Sequence, residues 1–340
     1  MNILVFSTVF FPAIGGIENH TLSLVKEFLK KGHTVVVITE QKQEAPLENI
    51  KVYHSPGLLT TIKLFNWCNV FYMPNISLKG VWLLCINPFK KWVISHNDFH
   101  FVARKNLKSR LKRLIIKFAS NNIAVSKSVA NHIQTKSAVI YNCYDDEIFK
   151  IYDDEERVYD FVFVGRLVSQ KGCEMLIKAC TSLKQSYTLS IIGDGPELPR
   201  LKEMIKKPGN DNQIHFLGFL QNEELARTLN RHRIMIIPSM DREGFGIVAL
   251  EGLACGCKVI AADAGGLTEA VNRFGKTFEM GSTRELAVLL EDGLLDKSGL
   301  PNSSELSEYL HQHTRTAVAG KYLSVFNQIH KAATSCAQAS

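Results

Sequence analysis

The sequence predicts an α/β protein built from two doubly wound parallel-sheet domains, and three observations carry that expectation. Short apolar runs without alternation, such as Ile3-Leu-Val-Phe and Phe161-Val-Phe-Val, read as strands buried on both faces of a parallel sheet. Segments with apolar residues at helical spacing alternate with those runs, as βαβ units require. At 340 residues the chain exceeds one ordinary hydrophobic core and fits two.

In chain order, Ile3 to Ser7 is the first strand and Gly15-Gly16 the turn after it. Leu22, Val25, Phe28 and Leu29 mark one face of the helix that follows, which Gly32 ends. The alternation recurs at Thr34 to Thr39, at Val70 to Met73 before Leu78 to Cys85, at Trp92 to Ser95, at Ile123 to Val125 and at Ala138 to Tyr141. The acidic stretch from Tyr144 to Arg157 differs from both flanks and puts an interdomain linker near 145–158. A second series then runs through Asp160 to Gly165, Leu189 to Ile192, Ile214 to Leu217, Ile234 to Ile237 and Lys258 to Ala261. The tail from Ser303 to Ala333 is helical in pattern, with Ala319, Tyr322, Leu323 and Phe326 on one face. The expected domains are 1–150 and 151–310, with a C-terminal helix over 311–340 packing back toward the first. Two such domains in sequence are expected to enclose a central cleft between the carboxyl ends of their sheets, where phosphorylated ligands bind.

With 46% hydrophobic and 21% charged residues, the composition excludes disorder and fibrous repeats. No apolar stretch approaches the ~20 residues that span a bilayer, and Met1 leads straight into a strand, so neither secretion nor membrane spanning is expected. Eight cysteines without a CxxC spacing read as reduced, cytoplasmic thiols. The net charge of +7 is uneven: residues 1–150 hold 19 Lys and Arg against 9 Asp and Glu, leaving 21 against 24 for the rest. The basic half is the one expected to meet something anionic.

Four glycine-containing loops follow strands. Gly15-Gly16 precedes a helix, where absent side chains let backbone amides approach an anion, although a plain tight turn gives the same pattern. Gly165-Arg166 and Lys171-Gly172 set a planar guanidinium and a point-like ammonium near one strand end, a pairing suited to a diphosphate; two solvated surface cations are the alternative. Gly193-Asp194-Gly195-Pro196 resembles half of a dinucleotide fingerprint but lacks its third glycine. Glu243-Gly244-Phe245-Gly246 lies between the strand Ile234 to Ile237 and an apolar helix that contains Glu251. An unpaired carboxylate there is costly to bury, so Glu251 calls for hydroxyl partners, and Glu243 is placed to accept from sugar hydroxyls; a carboxylate at a helix N-terminus and a satisfied core glutamate are the alternative. His96 follows the strand Trp92 to Ser95, from which it is expected to project into the cleft, or else to be a structural histidine. His100 and Asp98 have no third ligand at sensible spacing and no Asp-x-Asp occurs, so no metal is expected.

The order Gly15-Gly16, His96, Asn142 with Phe149, Gly165-Arg166, Lys171-Gly172, Gly193 to Pro196, Glu243-x7-Glu251, Gly265-Gly266 and Glu269 resembles the retaining glycosyltransferases of family 4, with the GT-B fold. That resemblance implies an acceptor-binding first domain and a nucleotide-sugar-binding second one. It implies that Arg166 and Lys171 neutralise the donor diphosphate and that Glu251 binds the ribose hydroxyls. Glu243 with Gly244, Phe245, Gly246 and Ile247 would hold the donor sugar, Gly16 would pack against donor and acceptor, and His96 would lie beside the reaction centre. Gly15, Gly165, Gly193 and Gly195 join the donor set. One departure is Asn142-Cys143, where the family usually has Asn-Gly. The implied activity is a metal-independent retaining hexosyl transfer from a UDP-sugar, or next a GDP-mannose, to a glycan or lipid-linked acceptor of cell-surface polysaccharide or lipopolysaccharide, with no cofactor. A GT-B nucleotide-sugar epimerase and a non-catalytic nucleotide-sugar-binding protein are the alternatives.

The acceptor side draws on a basic segment. Arg104, Lys105, Lys108, Arg110, Lys112, Arg113 and Lys117 occur without an acid, interleaved with Leu107, Leu111, Leu114, Ile115 and Phe118 at amphipathic spacing. Such a helix either docks on an anionic membrane at the inner face of the cell or turns its apolar stripe into the core with its charges solvated. No nucleic-acid motif accompanies the charge, and none is expected as a partner.

Overall fold

A computed structural model describes residues 1–13, 15–42, 47, 49–99, 107–206, 213–296, 298 and 304–338. They form two compact units, Met1–Cys143 with His313–Ser340, and Tyr144–Gln312.

In the first unit, β1 (Asn2–Ser7), β2 (Thr34–Thr39), β3 (Lys51–His54), β4 (Val70–Met73), β5 (Trp92–His96), β6 (Asn121–Ala124) and β7 (Ala138–Val139) are ordered β3-β2-β1-β4-β5-β6-β7, all parallel. The winding reverses between β1 and β4. Ile3, Leu4 and Val5 are fully buried, as a strand covered on both faces must be.

The second unit repeats the plan. Its strands β8 (Tyr159–Val164), β9 (Leu189–Ile192), β10 (Ile214–Gly218), β11 (His232–Ile237), β12 (Lys258–Ala262) and β13 (Gly275–Phe278) are ordered β10-β9-β8-β11-β12-β13, again all parallel. Here the reversal falls between β8 and β11, so the loops leaving those two strands emerge side by side.

The helix Arg315–Gln338 completes the first unit's core although it follows the second unit in sequence. It packs on the helix Gly16–Lys30, with Phe326 edge-on to Phe28 at 5.6 Å and Thr316 donating to Glu27 at 2.8 Å. The boundary lies at Cys143/Tyr144, ahead of the acidic stretch, because that stretch is tied to the second unit. The Tyr152 amide donates to Asn230 at 2.9 Å, Arg227 pairs with Asp154 and Glu155, and Arg157 donates to the Cys255 carbonyl at 2.6 Å.

Candidate functional site

The second unit assembles its charged residues where its sheet reverses. The loop after β8 carries Arg166 and Lys171, and the loop after β11 carries Glu243. Lys171 Nζ lies 2.6 Å from Glu243 Oε1, and Ser239 Oγ donates to the same oxygen at 2.8 Å. Backbone bonds hold the two loops together, the Met240 amide donating to the Gln170 carbonyl at 2.8 Å. Gly172 permits this approach: it has φ +71°, and a Cβ there would overlap the Pro238 carbonyl. Glu243 is also fastened to the loop after β12, its amide donating to Ala264 at 3.0 Å and its carbonyl accepting from Gly266 at 2.8 Å. The Arg166 side chain is exposed and has no ion pair or hydrogen bond among the described residues. The result is an exposed guanidinium on the same loop as an ammonium that already faces a carboxylate.

Gly193 and Gly195 have a structural reason of their own. Gly193 has φ +137°, and Cβ atoms at the two positions would overlap the carbonyls of Gly165 and Leu167. The Gly165 amide donates to Ile192 at 3.0 Å and the Leu167 amide to Asp194 at 2.9 Å, so this loop braces the cation loop. Phe245 is 1% exposed, which leaves its backbone as the part able to meet a ligand. Gly246 and Ile247 open the helix Ile247–Ala254, whose first amides face away from the helix body. Glu251 in that helix keeps some surface access but is enclosed by protein on most sides and has no side-chain partner among the described residues. Burial, with repulsion from Asp145 added, raises its carboxyl pKa to about 7. Among the described residues, no three His, Cys, Asp or Glu side chains gather as a metal-ligand set.

In the first unit, Gly15 is the extended cap of the helix Gly16–Lys30, and a Cβ on Gly16 would meet no atom within 4 Å. The chain's own packing therefore does not require glycine there. His96 ends β5 with its ring at 0% exposure and Nε2 2.9 Å from Asn122 Oδ1. The sequence suggests a projecting side chain; the structure encloses it because Asn122, on the neighbouring strand β6, offers a buried partner. Burial lowers the His96 pKa to about 4, so the ring is uncharged at neutral pH. Asn142 is buried, and at the Asn142-Cys143 departure Cys143 Sγ sits 3.3 Å from His20 Nδ1.

The comparison with known families separates the readings of these loops. Residues 145–313 match the glycosyl transferases group 1 family. The chain is 28% identical to an uncharacterized glycosyltransferase of Methanocaldococcus jannaschii, over 78% of its own length and 80% of the relative's. It is 24% identical to the phosphatidylinositol N-acetylglucosaminyltransferase gpi3 subunit of Schizosaccharomyces pombe, covering 85% of this chain and 72% of that protein. The crystal structure of Anabaena HepE in complex with UDP superposes with a TM-score of 0.76 at 20% identity, covering 98% of this chain and 100% of that chain. The chain is thus a glycosyltransferase homologue, and its two Rossmann-like domains are those of the GT-B fold.

The basic segment belongs to the first unit. Arg104 and Lys105, like His100, lie outside the described residues. Lys108, Arg110, Lys112, Arg113 and Lys117 fall on the helix Leu107–Ile115 and the turn Ile116–Phe118. Leu107, Leu111, Leu114 and Phe118 are exposed and Ile115 is half-buried, so most of this apolar stripe is not core. No helix among the described residues is long and apolar enough to cross a membrane. Sequence reasoning missed Ser239 and Asn122 as partners of Glu243 and His96, and Asp145 as the like charge near Glu251. Only Ser239 left a signal, a hydroxyl directly after the strand Ile234 to Ile237 and Pro238.

Proposed function

We propose that this chain is a retaining hexosyltransferase that moves a sugar from a nucleoside diphosphate, UDP first and GDP second, to a lipid-linked or glycan acceptor at the inner face of the cell membrane. The observation that carries this reading is the cluster of Arg166, Lys171 and Glu243 where the second sheet reverses. HepE, solved with UDP, supports the base, and the phosphatidylinositol-modifying relative supports a lipid acceptor.

Breaking the bond from the sugar C1 to the phosphate oxygen leaves its electron pair on the diphosphate. Arg166, with Lys171 beside it, stabilises that growing negative charge in place of a magnesium ion. Glu243, held by Lys171 and Ser239, accepts hydrogen bonds from the sugar hydroxyls, and Glu251 accepts from the ribose. The acceptor oxygen attacks C1 on the face the phosphate leaves, and its proton passes to the departing phosphate oxygen, so the anomeric configuration is kept. His96, neutral and fixed by Asn122, is enclosed within the first unit and acts by positioning its strand rather than by charge.

Incubation with UDP-, GDP- and ADP-sugars and a lipid extract, read by product NMR, tests the proposal. Transfer with a retained linkage that persists in a chelator is expected. An inverted linkage overturns the same-face mechanism, and release of an altered free sugar nucleotide without any acceptor selects the epimerase instead.

A further inference from the structure

The Glu243 carboxylate is held through one of its two oxygens. Oε1 accepts from Lys171 Nζ at 2.6 Å and from Ser239 Oγ at 2.8 Å, while Oε2 has no partner among the described residues. The two donors differ in kind. Lys171 reaches Oε1 on a flexible stem, its side chain 34% exposed, and its ammonium has further hydrogens to offer other acceptors. Ser239 is 1% exposed, and the single hydrogen of its hydroxyl goes to Glu243.

The backbone around Ser239 leaves it little freedom. It follows β11 and Pro238, whose ring locks φ, and the next amide, that of Met240, donates to the Gln170 carbonyl at 2.8 Å. The Glu243 backbone is pinned on both sides to the loop after β12, by its amide to Ala264 and its carbonyl to Gly266. Between two fixed backbones, the bond from Ser239 sets the side-chain torsions of Glu243 and so the direction of Oε2. Lys171 alone could not keep that direction once a diphosphate arrived, because two anions would then compete for one ammonium.

We propose that Ser239 is a positioning residue for sugar discrimination. It keeps the Glu243 carboxylate in place while Lys171 is shared with the donor diphosphate, so that Oε2 reads the direction of a sugar hydroxyl. A buried neutral donor suits this task, since a second cation at that point would itself be drawn to the diphosphate. The role rests on the donor-site reading of Lys171 and Glu243 and extends it, by assigning part of the specificity to a side chain enclosed behind the site.

Two crystal structures without ligand read the positioning directly. In Lys171→Met the serine alone should hold Glu243 where it stands, and in Lys171→Met/Ser239→Ala the carboxylate should leave by about 1 Å or more. A carboxylate that moves already in Lys171→Met, or that stays in the double variant, overturns the proposal. Calorimetric titration of the full chain with UDP, UDP-glucose, UDP-galactose and UDP-N-acetylglucosamine, without acceptor, reads the consequence. The spread of Kd among the three sugars should shrink about tenfold in Ser239→Ala while the Kd for UDP holds, because a displaced carboxylate loses a sugar hydroxyl and leaves the diphosphate contacts intact. Ser239→Cys keeps the size of the side chain but donates weakly, and should lose the spread as alanine does. An undiminished spread in Ser239→Ala, a loss of UDP binding along with it, or a cysteine variant that discriminates as serine does also overturns the proposal. An unmodified protein that binds none of these nucleotides counts against the UDP-sugar transferase reading, and the two crystal structures then decide the positioning by themselves.

Discussion

The two units share one topology and use it differently. In the second, the loops at the sheet reversal are densely tied: Lys171 to Glu243, Glu243 to the loop after β12, and Leu167 to Asp194. In the first, the glycine turn after β1 meets open space at Gly16, and the polar groups withdraw inward, with His20, His96 and Tyr72 buried. A rigid charged cradle preorganises charge stabilisation for a leaving group, whereas open backbone at a helix start suits a ligand that brings its own bulk. In the proposed reaction this difference gives the chemistry to the second unit and access to the first.

The largest expected effect falls on the first unit's integrity. Phe326 is fully buried against Phe28 and Tyr72, each at 5.6 Å, so Phe326→Ala should cost about 3–5 kcal/mol there. Trp67, Trp82 and Trp92 are the chain's three tryptophans and all belong to that unit, so their fluorescence should report the loss while calorimetry retains a transition for the second unit. A single transition lowered for both would join units that the comparison separates. Next in size, Arg166→Ala or Lys171→Ala should lower turnover about 10²–10³-fold, the cost of removing a preorganised charge stabiliser, with the Tm nearly unchanged. Nearly normal turnover would place the diphosphate elsewhere.

The parts of the fold that the sequence revealed and those it hid divide on physical lines. Interior strands such as β1 and β2 announce themselves because both faces must be apolar. β3 (Lys-Val-Tyr-His) and β13 (Gly-Lys-Thr-Phe) went unseen because each, at one edge of its sheet, mixes polar with apolar residues and leaves no apolar run. The site followed a similar rule. Arg166, Lys171, Glu243 and Glu251 were legible from residue type and spacing. Asn122 as the partner of His96 was not, since a pairing between adjacent strands 26 residues apart leaves no local pattern. Nor did spacing distinguish a glycine needed for loop packing, as at Gly193, from one the chain itself does not need, as at Gly16.

Acid should separate the units further. Burial lowers His20, His96 and His313 in the first unit to about 4, and His232 in the second. Between the ordinary histidine value of about 6.5 and pH ~4.5 the unfolded chain takes up protons that the folded first unit refuses, so its stability falls as pH falls. Glu251 works the other way: its raised pKa lets the folded second unit hold a proton the unfolded chain releases, a contribution full below the ordinary glutamate value of 4.5 and lost as pH rises through about 7. Tryptophan fluorescence should therefore show the first unit melting progressively earlier from pH 7 to pH 5, while the second unit's calorimetric transition stays nearly level. Parallel declines would contradict the assigned burial. In the proposed reaction the same carboxyl governs donor binding, because only its ionised form accepts from two ribose hydroxyls. The KM for the sugar nucleotide should fall about tenfold from pH 6 to pH 8, and Glu251→Gln should flatten that profile.

The smallest structural change bears most directly on the contrast. Gly16 has no positive φ, and no atom lies within 4 Å of where an alanine methyl group would stand. Gly16→Ala is therefore expected to shift stability by less than about 1 kcal/mol, upward if at all, since alanine favours the helix. If the glycine is instead kept for a ligand that approaches the helix start, the methyl group will exclude it, and KM for donor or acceptor should rise while the Tm holds. Unchanged kinetics would mean that the open turn of the first unit is only a turn, and that the access assigned to it belongs to another element.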